Sequence, residues 1–424
     1  MVFHPRERSP WPPWRRSISR REMLKLMAGT AVAGGLLAGC GSGSSSYSDS
    51  RLAIGTRENP VEQPLFDEVP RVESGQEPEE GPLRVYNWAD YINPAVLKGF
   101  TEQFGAEVEV TTFYNSQEAA QKLRTGKVSF DVFFPTQDEL PKYVAGKLLQ
   151  PLNHDYLPNL EKNVWPTLAD PFYDRGSRYT TPYVTYSTGI GWRTDMVPAD
   201  VAGMDNPWEI FWDPEYKGIT GLYDEYRDAL SAGMYRSGLT GVNEANASDL
   251  NKARDNLLEL PDLVDIRYTI DGAYSRLPEG NLGLVESWSG DMLLAVQYVP
   301  KDGDASALRY AWPPKTTQDK VGGMISNDCM CVLANAEHPV LAHTFINYVL
   351  DADVALKNMG WLGYQPPQKS LDPKTFVEDG LIPENLSTAV VDQGDFQIGQ
   401  ITTQLTPEEE GRWLDAWSRV QQGG

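Results

Sequence analysis

The chain has 424 residues, 41% hydrophobic and 11% aromatic, with 37 Lys and Arg against 59 Asp and Glu, four His and three Cys. That length and apolar content bury a large core in two or three domains and exclude disordered, collagen-like and disulfide-scaffold classes. The formal charge of −22 repels phosphate backbones and anionic headgroups, which argues against nucleic acid as a partner and favours a cationic ligand.

Residues 1–39 read as an export leader. Arg20-Arg21 precede a Gly/Ala-rich apolar stretch, Leu26 to Ala38, and then Leu37-Ala38-Gly39-Cys40 closes the segment. The stretch is shorter than the roughly 20 residues of a membrane span. The paired arginines resemble the address of the twin-arginine pathway. Leu-Ala-Gly-Cys resembles the lipobox at which bacterial lipoproteins are cleaved and lipidated, here on Cys40. The bland alternative is a lone Cys in a Gly-rich spacer. Loss of the leader leaves 30 basic against 57 acidic residues, a formal charge near −27.

Residues 40–81 read as a flexible acidic linker, Gly and Ser first, then Glu and Pro, holding a body away from a membrane. From Leu83 strands and helices alternate. Leu83–Trp88 reads as a strand, and Asn93 caps a helix with Pro94 at its first position and Gly105 at its end. Glu107–Val110 alternates as a second strand, Ser116 opens a helix that stops at Gly126, and Phe130–Phe134 is a third strand suited to burial on both faces. Two such βα units imply a parallel sheet with right-handed crossovers, with ligands beyond the carboxyl ends of its strands. That places Trp88, Asp90 and Tyr91 at one candidate ligand edge and Thr136, Gln137 and Asp138 at another. Later, Asp328 heads the apolar run Cys329 to Leu333, a buried strand with two free thiols. His338 to Asn358 reads as one helix with Leu341, Phe345, Val349 and Leu350 on one side, and Trp413, Trp417 and Val420 stripe a final helix.

Tyr86-Asn87-Trp88-Ala89-Asp90-Tyr91-Ile92, Phe130-Asp131-Val132-Phe133-Phe134-Pro135, Asp213-Pro214-Glu215-Tyr216-Lys217-Gly218 and Met359-Gly360-Trp361-Leu362-Gly363-Tyr364 resemble the spermidine/putrescine-binding proteins of ABC importers. The resemblance runs in order from about Leu83 to the C-terminus. It implies an α/β fold, a two-lobed periplasmic-binding-protein clamp in which each lobe is a mainly parallel sheet flanked by helices, with three interlobe crossings. Lobe one would comprise residues 83–187 and 327–373, and lobe two residues 188–326 and 374–424. The protein would be a monomeric transport component without cofactor, metal or catalysis. It would sit in the periplasm or be held through Cys40 to the outer face of the cytoplasmic membrane, and it would hand its ligand to an ABC permease.

An aliphatic polyamine is a row of ammonium groups joined by methylenes, so its site needs carboxylates and flat aromatic walls. A buried, unpaired ammonium costs several kcal/mol, and cation–π contact contributes about 0.5–2 kcal/mol. The resemblance assigns Trp88, Asp90, Tyr91, Thr136, Asp328 and Tyr364 to lobe one, and Glu225, Asp228, Trp288, Asp291 and Gln397 to lobe two. Asp138 stands beside Thr136 as an extra carboxylate. Ser326 replaces the bulky aromatic that the family carries two residues before Asp328, which leaves the cleft longer or wetter there. Arg227 can pair with a neighbouring acid and remove it from service.

From periodicity alone Trp88 and Tyr91 suit a core, Asp90 a helix cap, Glu225 and Asp228 a solvated helix start, and Trp288 with Asp291 a core Trp beside an exposed Asp. Asp328 resists such a reading, because a carboxylate at the head of an apolar strand is costly unless paired. Two rivals remain: an anchored hydrolase, and the same fold holding another organic cation or an amino acid. No Gly-x-Ser-x-Gly, His-Glu-x-x-His or Gly-x-x-x-x-Gly-Lys occurs, and His4, His154, His338 and His343 make no single helix face.

Overall fold

The computed structural model describes residues 52–423 apart from 244, 245, 271 and 319. The twin-arginine leader and Cys40 lie outside the described residues. Among those described, no helix is long and apolar enough to cross a membrane.

Among the described residues nine strands form one continuous sheet: β1 (Leu83–Trp88), β2 (Val108–Phe113), β3 (Val132–Phe133), β4 (Thr181–Arg193), β5 (Thr220–Leu222), β6 (Arg267–Tyr268), β7 (Leu284–Trp288), β8 (Leu308–Ala311) and β9 (Ile325–Val332). Their order is β2-β1-β3-β9-β4-β7-β5-β6, with β8 also on β4. The eight α-helices of seven or more residues among the described residues are α1 (Pro94–Phe104), α2 (Ser116–Thr125), α3 (Tyr226–Arg236), α4 (Ala247–Val264), α5 (Ser289–Ala295), α6 (Pro339–Val349), α7 (Ala352–Leu362) and α8 (Pro407–Gln422). The whole is a two-lobed α/β clamp.

Local chemistry places the first units. Asn93 accepts from Ala95 N at 2.8 Å, Pro94 follows, and Gly105 ends α1 at φ 77, where a side chain would be strained. Asn115 and Gly126 do the same for α2. β1 pairs in parallel with β2 and with β3. Ladder pairing at β3 covers two residues, but Asp131 N and Phe134 N still bond Arg84 O and Tyr86 O, which extends the expected strand on both sides.

Pairing is parallel on both flanks of the sheet and antiparallel at its middle, where β4 and β9 run through both halves. β4 pairs with β9 over Thr181–Ser187 and with β7 over Thr188–Trp192, while β9 passes on to β3. These two strands link the half of the sheet that carries β1–β3 to the half that carries β5–β8. Further along, Thr185 N bonds Gln365 O, and Asn385 bonds the carbonyls of Ala305 and Leu308 beside β8. One apolar cluster around Tyr86, Phe113, Phe133 and Tyr143 belongs to the first half, and another around Trp208, Trp212, Trp413 and Trp417 to the second. Cys329 and Cys331 are buried free thiols.

Two expectations are corrected. The single helix from His338 to Asn358 is two, because the Asp351 side chain accepts from Asp353 N and Val354 N and starts α7 afresh. The described part of the linker, residues 52–81, is not an unpacked spacer. Gln63 is fully buried and donates to Ala53 O and Tyr173 O, Glu79 accepts from Val340 N and Leu341 N at the head of α6, Tyr179 donates to Pro64 O, and Arg57 bonds the carbonyls of Phe396 and Gly399. Polar side chains attach this strap together with the buried Val69 and with Phe66, too few apolar residues to make a stripe, so hydrophobic patterning gives no sign of it.

Candidate ligand-binding site

A hydrogen-bonded path crosses the sheet where β4 and β9 run side by side. Asp328, 4% exposed, accepts from the Tyr91 hydroxyl at 2.7 Å and the Tyr186 hydroxyl at 3.2 Å. Tyr91 reaches it because the chain turns just past β1 at Asp90, whose φ of 56 is left-handed, a conformation Asp tolerates better than most residues. Tyr364 follows the left-handed Gly363 that ends α7. Its ring meets Tyr91 and Tyr186 edge-on, and its hydroxyl donates to Asp291 Oδ1 at 2.8 Å. Tyr223 donates to Asp291 Oδ2 at 2.8 Å and stacks on Trp288 at 4.1 Å, and Trp288 Nε1 donates to Asp228 at 3.1 Å. Three buried acids are thus joined by aromatic rings.

Burial dominates the electrostatics of two of them. It pushes the Asp328 carboxyl up to about 7 against the pull of the Tyr91 and Tyr186 hydroxyls, and Asp228 up to about 6 against the Trp288 indole. Glu225, half-buried at the head of α3, is pushed up to about 8 by burial and by Asp228, Glu139 and Asp138. Among the described residues no Lys or Arg ion-pairs with Asp228, Glu225 or Asp328. Arg227 turns away: it bonds Val242 O and Asn243 Oδ1, both at 3.0 Å, and lies over Trp413. Arg227 still lowers Asp228 by its charge, and desolvated acids of this kind suit a cation, since an ammonium would restore what burial removed.

The structure therefore brings together Tyr91, Asp228, Trp288, Asp291, Asp328 and Tyr364. Thr136 bridges Asp328 through the backbone, and Asp138 is close enough to raise Asp328, Asp228 and Glu225. Ser326 donates to Gln137 at 2.6 Å. Trp88 is a half-buried support, its Nε1 on Phe134 O at 3.1 Å and its ring tilted on Phe113. Asp90 is exposed and contributes a turn to the path rather than a buried carboxylate. Gln397 stands apart, exposed on a short helix; three residues later Gln400 points inward and accepts from Tyr235 and Gly323 N. Tyr186 and Tyr223 were not singled out from sequence, because only the β4–β9 and β5–β7 pairings bring them to the acids. Glu286 was also missed: it is buried on β7 and accepts from Tyr223 N at 3.2 Å.

Among the described residues the arrangement offers charge and flat aromatic walls. His343 is fully buried against Asn153 N and Pro339 O, and His338 lies beside Asp131. Among the described residues no cluster of His, Cys, Asp and Glu could hold a metal ion.

A family model described as bacterial extracellular solute-binding protein matches residues 95–384. The chain is 27% identical over 308 residues to the spermidine/putrescine-binding periplasmic protein of Escherichia coli (strain K12), covering 71% of this chain and 83% of that one. It is 29% identical over 296 residues to the putrescine/agmatine-binding protein of Pseudomonas aeruginosa, covering 66% and 77%. A solved structure from Listeria monocytogenes, described as a candidate spermidine/putrescine ABC transporter, superimposes with a TM-score of 0.68 at 26% identity, over 80% of this chain and 98% of that one.

Proposed function

The chain belongs to the bacterial extracellular solute-binding proteins, and on that premise we propose that it captures an aliphatic polyamine, putrescine or spermidine, and delivers it to an ABC permease. The observation that carries this reading is the set of buried carboxylates Asp228, Asp291 and Asp328, bonded to aromatic side chains. A dication laid along that path meets an acid at each end and π faces between. Trp88, Asp90, Thr136, Asp138, Glu225, Ser326 and Gln397 complete the proposed set, with Asp90 and Gln397 at its margin.

In this reading the lobes are residues 83–187 with 327–373 and 188–326 with 374–424, and the ligand is enclosed where they meet. The protein works as a monomer, without cofactor or covalent chemistry. The twin-arginine leader exports it, and lipidation of Cys40 holds it at the outer face of the cytoplasmic membrane. Calorimetric titration with putrescine and spermidine, with arginine as cationic control, tests the ligand. Saturable heat from either polyamine supports the reading; silence from both, in ligand-free protein, transfers the fold to another organic cation or an amino acid.

A further inference from the structure

One fully buried amide outside the acid path ties the two halves together. Gln137 follows β3 and is 1% exposed. Its Nε2 donates to Thr402 O at 3.1 Å and to Thr402 Oγ1 at 3.3 Å, and its Oε1 accepts from Ser326 Oγ at 2.6 Å. Both ends of the amide are therefore used by the protein.

The partners belong to different bodies. Gln137 is fixed to the first half: Cys329 N bonds Pro135 O two residues before it, and β3 pairs with β1. Thr402 is bolted to the second. Asn243 Nδ2 bonds Ile401 O at 2.8 Å, Thr403 N bonds Asn243 Oδ1 at 2.8 Å, Gln400 N bonds Gly323 O, and Arg227 reaches Thr403 O. Ser326 sits between them on β9. In the β4–β9 register Ser326 opposes Tyr186 and Asp328 opposes Val184, so Ser326, Asp328 and Tyr186 share one face of the sheet. The face that carries the central acid of the site also carries the hydroxyl that holds Gln137.

We propose that Gln137 is a closure latch, a positioning residue that touches no ligand but joins the halves through Thr402 when the clamp is shut, and so sets how long a captured solute stays. Separating the halves takes Thr402 away and returns the amide to water, while the Ser326 bond stays with β9. Each net hydrogen bond is worth a factor of about 2 to 10 in an equilibrium. The latch rests on the clamp reading above, and it adds a determinant of residence time that is separate from the acids that choose the ligand.

The test replaces Gln137 by Met, which keeps the volume and removes all three bonds, with Gln137→Ala as a second variant. Spin labels on Lys98→Cys and Lys252→Cys, both exposed, report the distance between halves in a Cys40→Ser background, since Cys329 and Cys331 are buried. In ligand-free protein both variants should lose short-distance population relative to the parent. With putrescine or spermidine bound, stopped-flow release should quicken about 5- to 20-fold with association changed less than twofold. Unaltered distances and release would overturn the latch. So would a lower melting temperature with neither change, which would make Gln137 a structural residue of one half. The distance measurement needs no ligand, so it judges the latch even if neither polyamine binds.

Discussion

The Tyr364 hydroxyl donates to Asp291 Oδ1 at 2.8 Å while the Tyr364 ring lies against Gly290, where an added Cβ would stand 2.4 Å from the ring. A residue between α7 and the last segment is thereby locked onto the first turn of α5 in the second half. Small size at position 290 and the hydroxyl at 364 are one device.

Gly290→Ala should push the Tyr364 ring away and detach its hydroxyl from Asp291. Overpacking of this kind costs about 1–3 kcal/mol. Polyamine affinity is expected to fall at least about tenfold, which corresponds to about 1.4 kcal/mol. Calorimetry on the folded variant checks it, and unchanged affinity would detach Tyr364 from the site.

Asp328→Asn keeps the shape and the acceptor for one tyrosine but leaves a bound ammonium without its central charge. Breaking a buried pair costs about 3–5 kcal/mol, so affinity should drop by more than a hundredfold. Melting of the ligand-free variant should not be impaired, because the substitution removes a desolvated acid. Parent-like affinity in the variant would remove Asp328 from the site.

The acids also set a pH dependence. Asp328, Asp228 and Glu225 have folded values of about 7, 6 and 8, all raised above their ordinary range, so the native state holds protons that the unfolded chain has released. Their stabilising contribution is fully present below about pH 4 and is lost as pH rises through 6 to 8. Taken alone, they make the ligand-free protein less stable to denaturant at pH 8 than at pH 5.5, and saturating polyamine should cancel that decline. A ligand-free stability that rises across this window would contradict the assignment.

Removal of residues 52–81 should lower the melting temperature by several degrees, because Tyr173 O, Val340 N, Leu341 N and the Tyr179 hydroxyl lose the partners that Gln63, Glu79 and Pro64 supply. A flexible linker could be cut away without cost. An unchanged melting temperature on truncation before Pro82 would restore the linker reading.

How much of this was legible in the sequence follows from the range of the forces involved. α1 and α2 are readable because Asn93, Pro94, Gly105 and Gly126 act within a few residues of themselves. Trp288 and Asp291 were readable as neighbours because one helical turn separates them. Tyr186 and Tyr223 were not, since their roles depend on strand pairings between distant segments. The break at Asp351 was hidden by apolar residues on both sides that continue a helical stripe. Gln400 escapes the sequence reading because a chain-order match carries no information on which amide turns inward. The strap was hidden because polar anchoring leaves no periodic mark.

The central claim is that the site is a set of buried, partly protonated acids awaiting a cation. Calorimetry of putrescine and spermidine binding at pH 7, repeated in buffers of different ionisation enthalpy, counts the protons that leave on binding. The account predicts release of about one proton or more per ligand, because an ammonium lowers the affinity of Asp328 and Glu225 for theirs. Binding with no proton exchange, or with net uptake, would contradict it.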